Sequence, residues 1–516
     1  MLVSSISLLI LSSFASISLS NPIRPNPRQL RDTLTHSRQG QAQDLYGYNT
    51  VRTIPLRRSP HDLQYSSRAL RKRATHLSDS NDVESATPLQ AASTFLRATG
   101  ASFLAEISFG SQTFLSVVDT GSSDTWIVHS DFTCVDIITN QTIPRNRCYF
   151  GPQYQPGSEF KRIPDANFNI TYGDGEYLTG PVGTLPVTIA DIRVPSQQVS
   201  LPNLAAWQGD GLTSGIIGLA YPALTANYPG TNPHLDRYCA PGLPKQYCNQ
   251  VVYSSLINTI FFEERLTAPI FALALSRDES GTGNGGYLSI GGIPDLNMVG
   301  VKNSEFASTP IRILPRDDQF RYYLMNIDGL VILPAGTPVP NDSRWHAYYA
   351  GNFTDVNANL TNSDVGGLNS TSPSNSTAHA PPPNMPGVTP GSESTSYILD
   401  SGTTLSFFPS GLVGRHASQF RPPATFDPYT GFYFVDCNAR IPPLGVKIGG
   451  HVFWHNPKDL VKEYDYAGTT CILGIQDSRM LGGINILGDT FLDNVLAVFD
   501  LGENVIRFAA RRDYQS

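Results

Sequence analysis

The chain has 516 residues, a formal net charge of −7, and 15% charged against 40% hydrophobic residues. That length exceeds one hydrophobic core, so two domains plus processed ends are expected. The acidic balance, with neither a basic stripe nor an aromatic–basic repeat, excludes a nucleic-acid binder, and 44 Gly with 39 Pro indicate many short strands and turns, not long amphipathic helices.

In chain order, residues 1–20 are apolar and Ser-rich with small residues before Asn21, which reads as a signal peptide although its start lacks Lys or Arg. No later stretch reaches the ~18 apolar residues of a membrane span, and the tail Arg511–Ser516 is polar, so no membrane or lipid anchor is expected. Residues 21–73 carry 11 Lys and Arg against 3 Asp and Glu, a net of +8, leaving the remainder at −15. A basic leader on an acidic body suggests a propeptide held by charge attraction. It ends in Leu70-Arg71-Lys72-Arg73, a site for a furin- or kexin-like processing protease; removal by the body itself at acid pH is the alternative.

The first half of the body, 74–300, begins with the alternating strand Phe103–Gly110 and returns through Thr113–Val118 into Asp119-Thr120-Gly121-Ser122-Ser123. Trp126-Ile127-Val128 follows, and Ile170–Glu176 reads as two strands meeting at a Tyr-Gly-Asp-Gly tip. In the second half, 301–516, the same elbow returns as Ile398-Leu399-Asp400-Ser401-Gly402-Thr403-Thr404. Each elbow is an apolar strand delivering an Asp, then a hydroxyl residue, a Gly for a backbone turn, and a second hydroxyl able to bond the carboxylate or its neighbours. Each is echoed downstream, by Ile216-Ile217-Gly218-Leu219-Ala220 and by Ile486-Leu487-Gly488-Asp489. Two such elbows suggest a duplicated lobe with one carboxylate per lobe. Facing carboxylates cannot both ionise comfortably, so they split into one acid and one base.

These paired motifs resemble those of the pepsin-type (A1) aspartic endopeptidases, and the secreted fungal members in particular, from about Phe103 to Ala510. The resemblance implies an all-β, bilobal fold of two related barrel-like lobes with the active site in the cleft between them. It implies catalysis by Asp119 and Asp400, with Ser122 and Trp126 as supporting residues and Gly121, Gly402 and Thr403 beside the substrate. It also implies a flap in which Tyr172 bonds Trp126 while Gly173 and Asp174 face the peptide. Asp174 stands where animal members carry a hydroxyl residue, which suggests tolerance of Lys beside the scissile bond in addition to apolar residues. An ungapped comparison from Gly215 puts Trp207 near a subsite-lining aromatic. Expected partners are protein and peptide substrates, pepstatin-type inhibitors and the chain's own propeptide, with an acidic optimum, a monomeric state, and a location outside the cell or in the vacuole. No cofactor is implied.

Six cysteines in such a chain should pair. Fifteen connectivities exist; closeness in sequence favours Cys134–Cys148 and Cys239–Cys248 and leaves Cys437–Cys471, the first and last of which match loop bridges of the family. Sequons stand at Asn140, Asn169, Asn341, Asn352, Asn359, Asn369 and Asn375, five of them inside the Asn/Ser/Pro-rich insertion 334–395, which reads as a glycan-bearing loop. Ser280–Gly286 is Gly-rich but lacks the Gly-Lys-[Ser/Thr] ending of a phosphate loop. His451 and His455 are four apart with no Cys or acidic partner, so no metal site is expected. An inactive binding module of the same fold is disfavoured by the intact Asp119, Asp400 and Tyr172. A paired-carboxylate glycosidase is disfavoured by the Asp-Thr-Gly elbows.

Overall fold

The computed structural model describes residues 51–58, 102–265, 267–277, 284–301, 305–339, 354–357, 396–464 and 469–511, the backbone alone for 354–357. The signal-peptide, dibasic-site and five insertion-sequon expectations fall outside the described residues.

The regular structure of the described chain is mostly β-strand, with short helices such as Ser410–Ala417. Strands β1 (Arg52–Arg58), β2 (Phe103–Phe109) and β3 (Gln112–Asp119) open it. The second and third form a hairpin in which Leu104 faces Val117 and Phe109 faces Gln112. Their burial largely alternates, as period-two patterning requires of a strand with one face in the core. Strand β4 (Thr125–Ile127) follows the first elbow. The long pair β5 (Lys161–Thr171) and β6 (Tyr177–Ile189) makes the hairpin whose tip is Tyr172–Glu176. Strand β7 (Gly215–Gly218) is the first downstream echo.

Six antiparallel strands of one larger sheet join the two halves of the chain. With β8 (Ile270–Leu275), β9 (Asn284–Ile290), β10 (Ala307–Pro310), β11 (Val495–Asp500) and β12 (Val505–Ala510), their order is β1–β9–β8–β11–β12–β10. The last strands of the chain therefore pair with strands of the first half, and this sheet runs across the expected 300/301 boundary. Strand β1, inside the expected propeptide 21–73, is woven into it. Six of its residues pair with β9, Arg57 and Arg58 pair with β2 on the other edge, and Leu56 is buried.

The second half places Leu324–Asn326 against Ser396–Leu399, which in turn pairs with Ile486–Leu487 and so delivers Asp400. Of the insertion 334–395, Thr354–Asn357 is a strand paired with Gly329–Ile332. Cys134 is bridged to Cys148, Cys239 to Cys248 and Cys437 to Cys471.

Candidate active site

Both elbows are built on the same device. Strand β3 runs parallel to β7, with Val118 beside Ile217 and Asp119 beside Gly218. Strand Ser396–Leu399 runs parallel to Ile486–Leu487. The downstream echoes are thus the immediate neighbours of the two aspartate strands. A Cβ on Gly218 would lie 2.5 Å from the Ser123 carbonyl carbon, and one on Gly488 would overlap the Thr403 carbonyl oxygen, so only glycine permits those approaches.

The two carboxylates receive matching hydrogen bonds. Gly121 N–H donates to Asp119 Oδ1 at 2.7 Å, and Gly402 N–H to Asp400 Oδ1 at 2.8 Å. Ser122 donates its hydroxyl to Asp119 Oδ2, and Thr403 donates to Asp400 Oδ2 at 2.6 Å. The first hydroxyl of each elbow does not bond its own carboxylate. Thr120 Oγ1 donates to Leu399 O at 3.0 Å and accepts from Ser401 N, while Ser401 Oγ donates to Val118 O at 2.8 Å and accepts from Thr120 N. These four bonds cross between the halves and hold the loops face to face.

The glycines of the elbows also have a different task from the expected backbone turn. Neither Gly121 nor Gly402 has a positive φ. Instead a Cβ on Gly121 would sit 2.5 Å from Asp400 Oδ1, and one on Gly402 2.5 Å from Asp119 Oδ1. Each glycine is needed because the carboxylate of the other half occupies the space.

Asp119 is 6% and Asp400 9% exposed. Burial, reinforced by the Asp400 charge and opposed by the bonds from Ser122 and Gly121, raises Asp119 from 3.8 to about 7. The pair therefore retains a proton well above the ordinary carboxylate range. Over it stands the hairpin tip, closed by Tyr172 N–H to Glu176 O at 2.8 Å and Gly175 N–H to Tyr172 O at 3.0 Å, with Gly175 at φ +89°. Trp126 Nε1–H donates to the Tyr172 hydroxyl at 2.7 Å. Burial, with the Asp119 charge next, drives the Tyr172 phenol far above its ordinary value and keeps it protonated. Asp119, Gly121, Tyr172, Asp174, Asp400 and Thr403 all line one cleft, as do Ser122, Gly173 and Gly402.

Comparison with known proteins agrees with that geometry. The family model described as eukaryotic aspartyl protease matches residues 102–308 and 374–511. The chain belongs to the eukaryotic aspartyl protease family. It is 35% identical to a probable aspartic-type endopeptidase of Aspergillus fumigatus over 80% of this chain and 79% of the relative. It is 24% identical to vacuolar protease A of the same fungus, over 79% of each. An aspartic proteinase from Irpex lacteus shares the fold, with a TM-score of 0.50 at 16% identity over 80% of this chain and 94% of that one. The chain is an aspartic-type endopeptidase that acts on protein substrates.

Trp207 lies in the wall of this protease cleft, its ring 5.2 Å from Trp126, 5.8 Å from Tyr172 and stacked 5.9 Å from Phe150. Phe150 and Tyr322 also line the cleft, a place that the sequence signalled for neither. Asp124 was missed as well. It is fully buried two residues past Ser122, and its carboxylate accepts Ala226 N–H at 2.9 Å and the Tyr253 hydroxyl at 2.6 Å. Burial, partly offset by those two bonds, raises it to about 7. A charged residue inside the otherwise uncharged run Ser123-Asp124-Thr125-Trp126 was the available signal.

The two described sequons differ. Asn140 is exposed, with Oδ1 accepting the Tyr177 hydroxyl. Asn169 is half-buried, and its Nδ2 donates to Pro233 O and Asp236 Oδ2, both at 3.0 Å. The nitrogen that would carry a glycan therefore donates within the fold. His455 is buried, its Nδ1 hydrogen-bonded to Leu444 O at 3.1 Å. Among the described residues no three His, Cys, Asp or Glu converge as metal ligands, and no helix is long and apolar enough to cross a membrane.

Proposed function

We propose that this aspartic endopeptidase is made as a secreted zymogen and cleaves proteins at acidic pH by general acid–base activation of a water between Asp119 and Asp400. The observation that carries this reading is the matched bonding of the two carboxylates, each held by its own Gly N–H and hydroxyl and each packed on the other's glycine. With one proton on the pair, the ionised carboxylate takes a proton as water attacks the peptide carbonyl, and the protonated one donates to the carbonyl oxygen. The pair titrates as a unit, so roles exchange between steps. The reaction needs no covalent intermediate. Desolvation of Asp119 raises its proton affinity and so favours an acidic working range.

The subsites favour apolar residues around the scissile bond, since Val117, Phe150, Trp207, Ile216, Ile398 and Ile486 line the cleft. Asp174 adds tolerance of Lys. Its Oδ1 accepts Glu176 N–H at 3.0 Å, which fixes the carboxylate at the flap tip. Loss of Lys-peptide cleavage without loss of Phe-peptide cleavage in Asp174→Ala tests that assignment. Export follows from the leader and from the sequons at Asn140 and in the insertion. Maturation occurs after Arg73, and N-terminal sequencing of secreted material checks it. For the chemistry, correctly matured Asp119→Asn and Asp400→Asn proteins should lose pepstatin-sensitive acid proteolysis; parental rates in either would remove the proposal.

A further inference from the structure

The Pro-rich segment that contains Cys239–Cys248 belongs to the first half of the chain, yet two of its groups bond Arg321 of the second half. Arg321 is 4% exposed, and its guanidinium is shared between the halves. On its own side, Nε–H donates to Asp317 at 2.5 Å. Across the junction, Nη1 donates to Ala223 O and to the Tyr238 hydroxyl, both at 2.8 Å, and Nη2 donates to Cys239 O at 2.8 Å. The segment is drawn onto the same spot. Gln250 Nε2 donates to Ala223 O and Thr225 O, and Gln250 Oε1 accepts Cys239 N–H. A planar fork with five donors suits this task, and a lysine ammonium could not copy it.

What the fork holds is a stretch of backbone beneath the dyad. Arg321 O accepts Tyr221 N–H at 3.2 Å. Two residues on, the Tyr323 hydroxyl donates to Leu219 O at 2.5 Å, and Leu219 N–H donates to Asp119 O at 2.8 Å. Tyr323 O accepts Leu399 N–H, one residue before Asp400. Arg321 and Tyr323 are buried toward the first half, and Tyr322 between them lines the cleft. Both chain neighbours of Tyr322 are thus tied to the first half, which fixes the backbone on either side of its ring.

We propose that Arg321 is a positioning residue for Tyr322, and that the disulfide-closed segment 228–250 sets the second-half wall of the substrate cleft by gripping Arg321. Selectivity for the side chain that rests on Tyr322 then depends on a segment outside the catalytic motifs. The proposal rests on the endopeptidase reading. It is tested only in a parent enzyme shown to have pepstatin-titratable activity, so a failure of that reading appears in the parent before any variant is made.

The test uses matured Tyr238→Phe, Cys239→Ser/Cys248→Ser, Arg321→Lys and Arg321→Met proteins, titrated with pepstatin so that rates refer to active sites. Peptides identical except for the residues flanking the scissile bond are ranked by kcat and KM. Tyr238→Phe removes one acceptor and keeps the ring, so it decides the question even where an Arg321 variant does not fold. The expected result is that KM rises roughly fivefold for peptides with a large residue at one flank and stays level for those with a small one. The pH profile of kcat should be unchanged, and Arg321→Lys should lie between the parent and Arg321→Met. A uniform loss across all peptides, a shift of the pH profile, or unchanged selectivity with only a lowered melting temperature each overturns the proposal.

Discussion

Asp124 offers the sharpest test of how burial governs this protein's stability. Its folded-state value of about 7 lies above the ordinary 3.8 because desolvation outweighs the bonds from Tyr253 and Ala226. A group with a raised folded value binds its proton more tightly in the native state than in the unfolded chain. Its contribution is therefore complete below about pH 3.8 and is lost as pH rises through about 7. Three pH units at 1.36 kcal/mol each give roughly 4 kcal/mol at full ionisation, a large share of the 5–15 kcal/mol that holds a typical domain together. Asp124→Asn keeps the oxygen that accepts from Ala226 and Tyr253 and removes the titration. Denaturant unfolding should be measured from pH 3 to 8 in an Asp400→Asn background, which prevents self-digestion. The Asp124→Asn protein should match its parent within about 1 kcal/mol at pH 3, allowing for one altered hydrogen bond, and exceed it by roughly 3–4 kcal/mol near pH 8. Parallel stability curves across that range would show that the carboxylate is not strained by burial and refute the reasoning.

Gly121→Ala and Gly402→Ala should fold but lose nearly all peptide cleavage, because the new methyl takes the place of the opposite carboxylate at 2.5 Å; retention of a tenth of parental kcat contradicts the packing argument. Tyr172→Phe removes the acceptor of the 2.7 Å Trp126 bond and leaves a buried donor unpaired, so it should lower kcat/KM about fivefold to tenfold and stability by roughly 1–3 kcal/mol, read by peptide kinetics beside denaturant unfolding. Asp459→Asn strips the buried partner of Arg277 and Lys462, whose charges hold that carboxylate below its ordinary range against its burial. Its cost should be roughly 3–5 kcal/mol by denaturant titration, and a value under about 1 kcal/mol would mean the ion pair is replaceable. If the cut after Arg73 is made, strand β1 is severed but still paired on both edges, so native mass spectrometry at neutral pH should find a peptide containing Arg52–Arg58 bound to the matured enzyme. Its absence from active enzyme would show that the sheet does not need it.

The parts of the site readable in the sequence are those whose partners are near in the chain. Ser122 and Thr403 lie three residues from the carboxylates they bond, and Tyr172–Glu176 is a turn closed within five residues. Cys134–Cys148 and Cys239–Cys248 are short loops too. The illegible parts depend on long-range partners. Thr120 reaches across 279 residues to Leu399, and Arg321 reaches back 98 to Ala223. Nothing local distinguishes these hydroxyl and guanidinium groups from solvated ones. Strand β1 was hidden for the same reason. Its basic composition reads as a charged leader, and only the pairing with Asn284–Ile290, 227 to 238 residues away, makes a strand of it. Asn169 satisfies its sequon, but the acceptors to which its amide donates, Pro233 and Asp236, lie 64 and 67 residues away.

One physical cause links the activity to the stability. The interlocked loops that bring Asp119 and Asp400 together exclude water from both elbows, and the same exclusion covers Asp124 just beyond. Desolvation is the largest contributor at Asp119 and at Asp124, and each is pushed to about 7. At acid pH both accept protons at no cost to the fold, and in the proposed mechanism the pair at the centre holds the one proton that peptide hydrolysis requires. As pH climbs toward 7 the dyad loses that proton and Asp124 becomes a buried, unneutralised charge. Inactivation and loosening of the fold should therefore begin in the same pH range. An Asp124→Asn enzyme separates the two, keeping its structure to higher pH while its activity still falls with the dyad. If activity and structure shifted together in that variant, the dyad and Asp124 would be titrating as one coupled group.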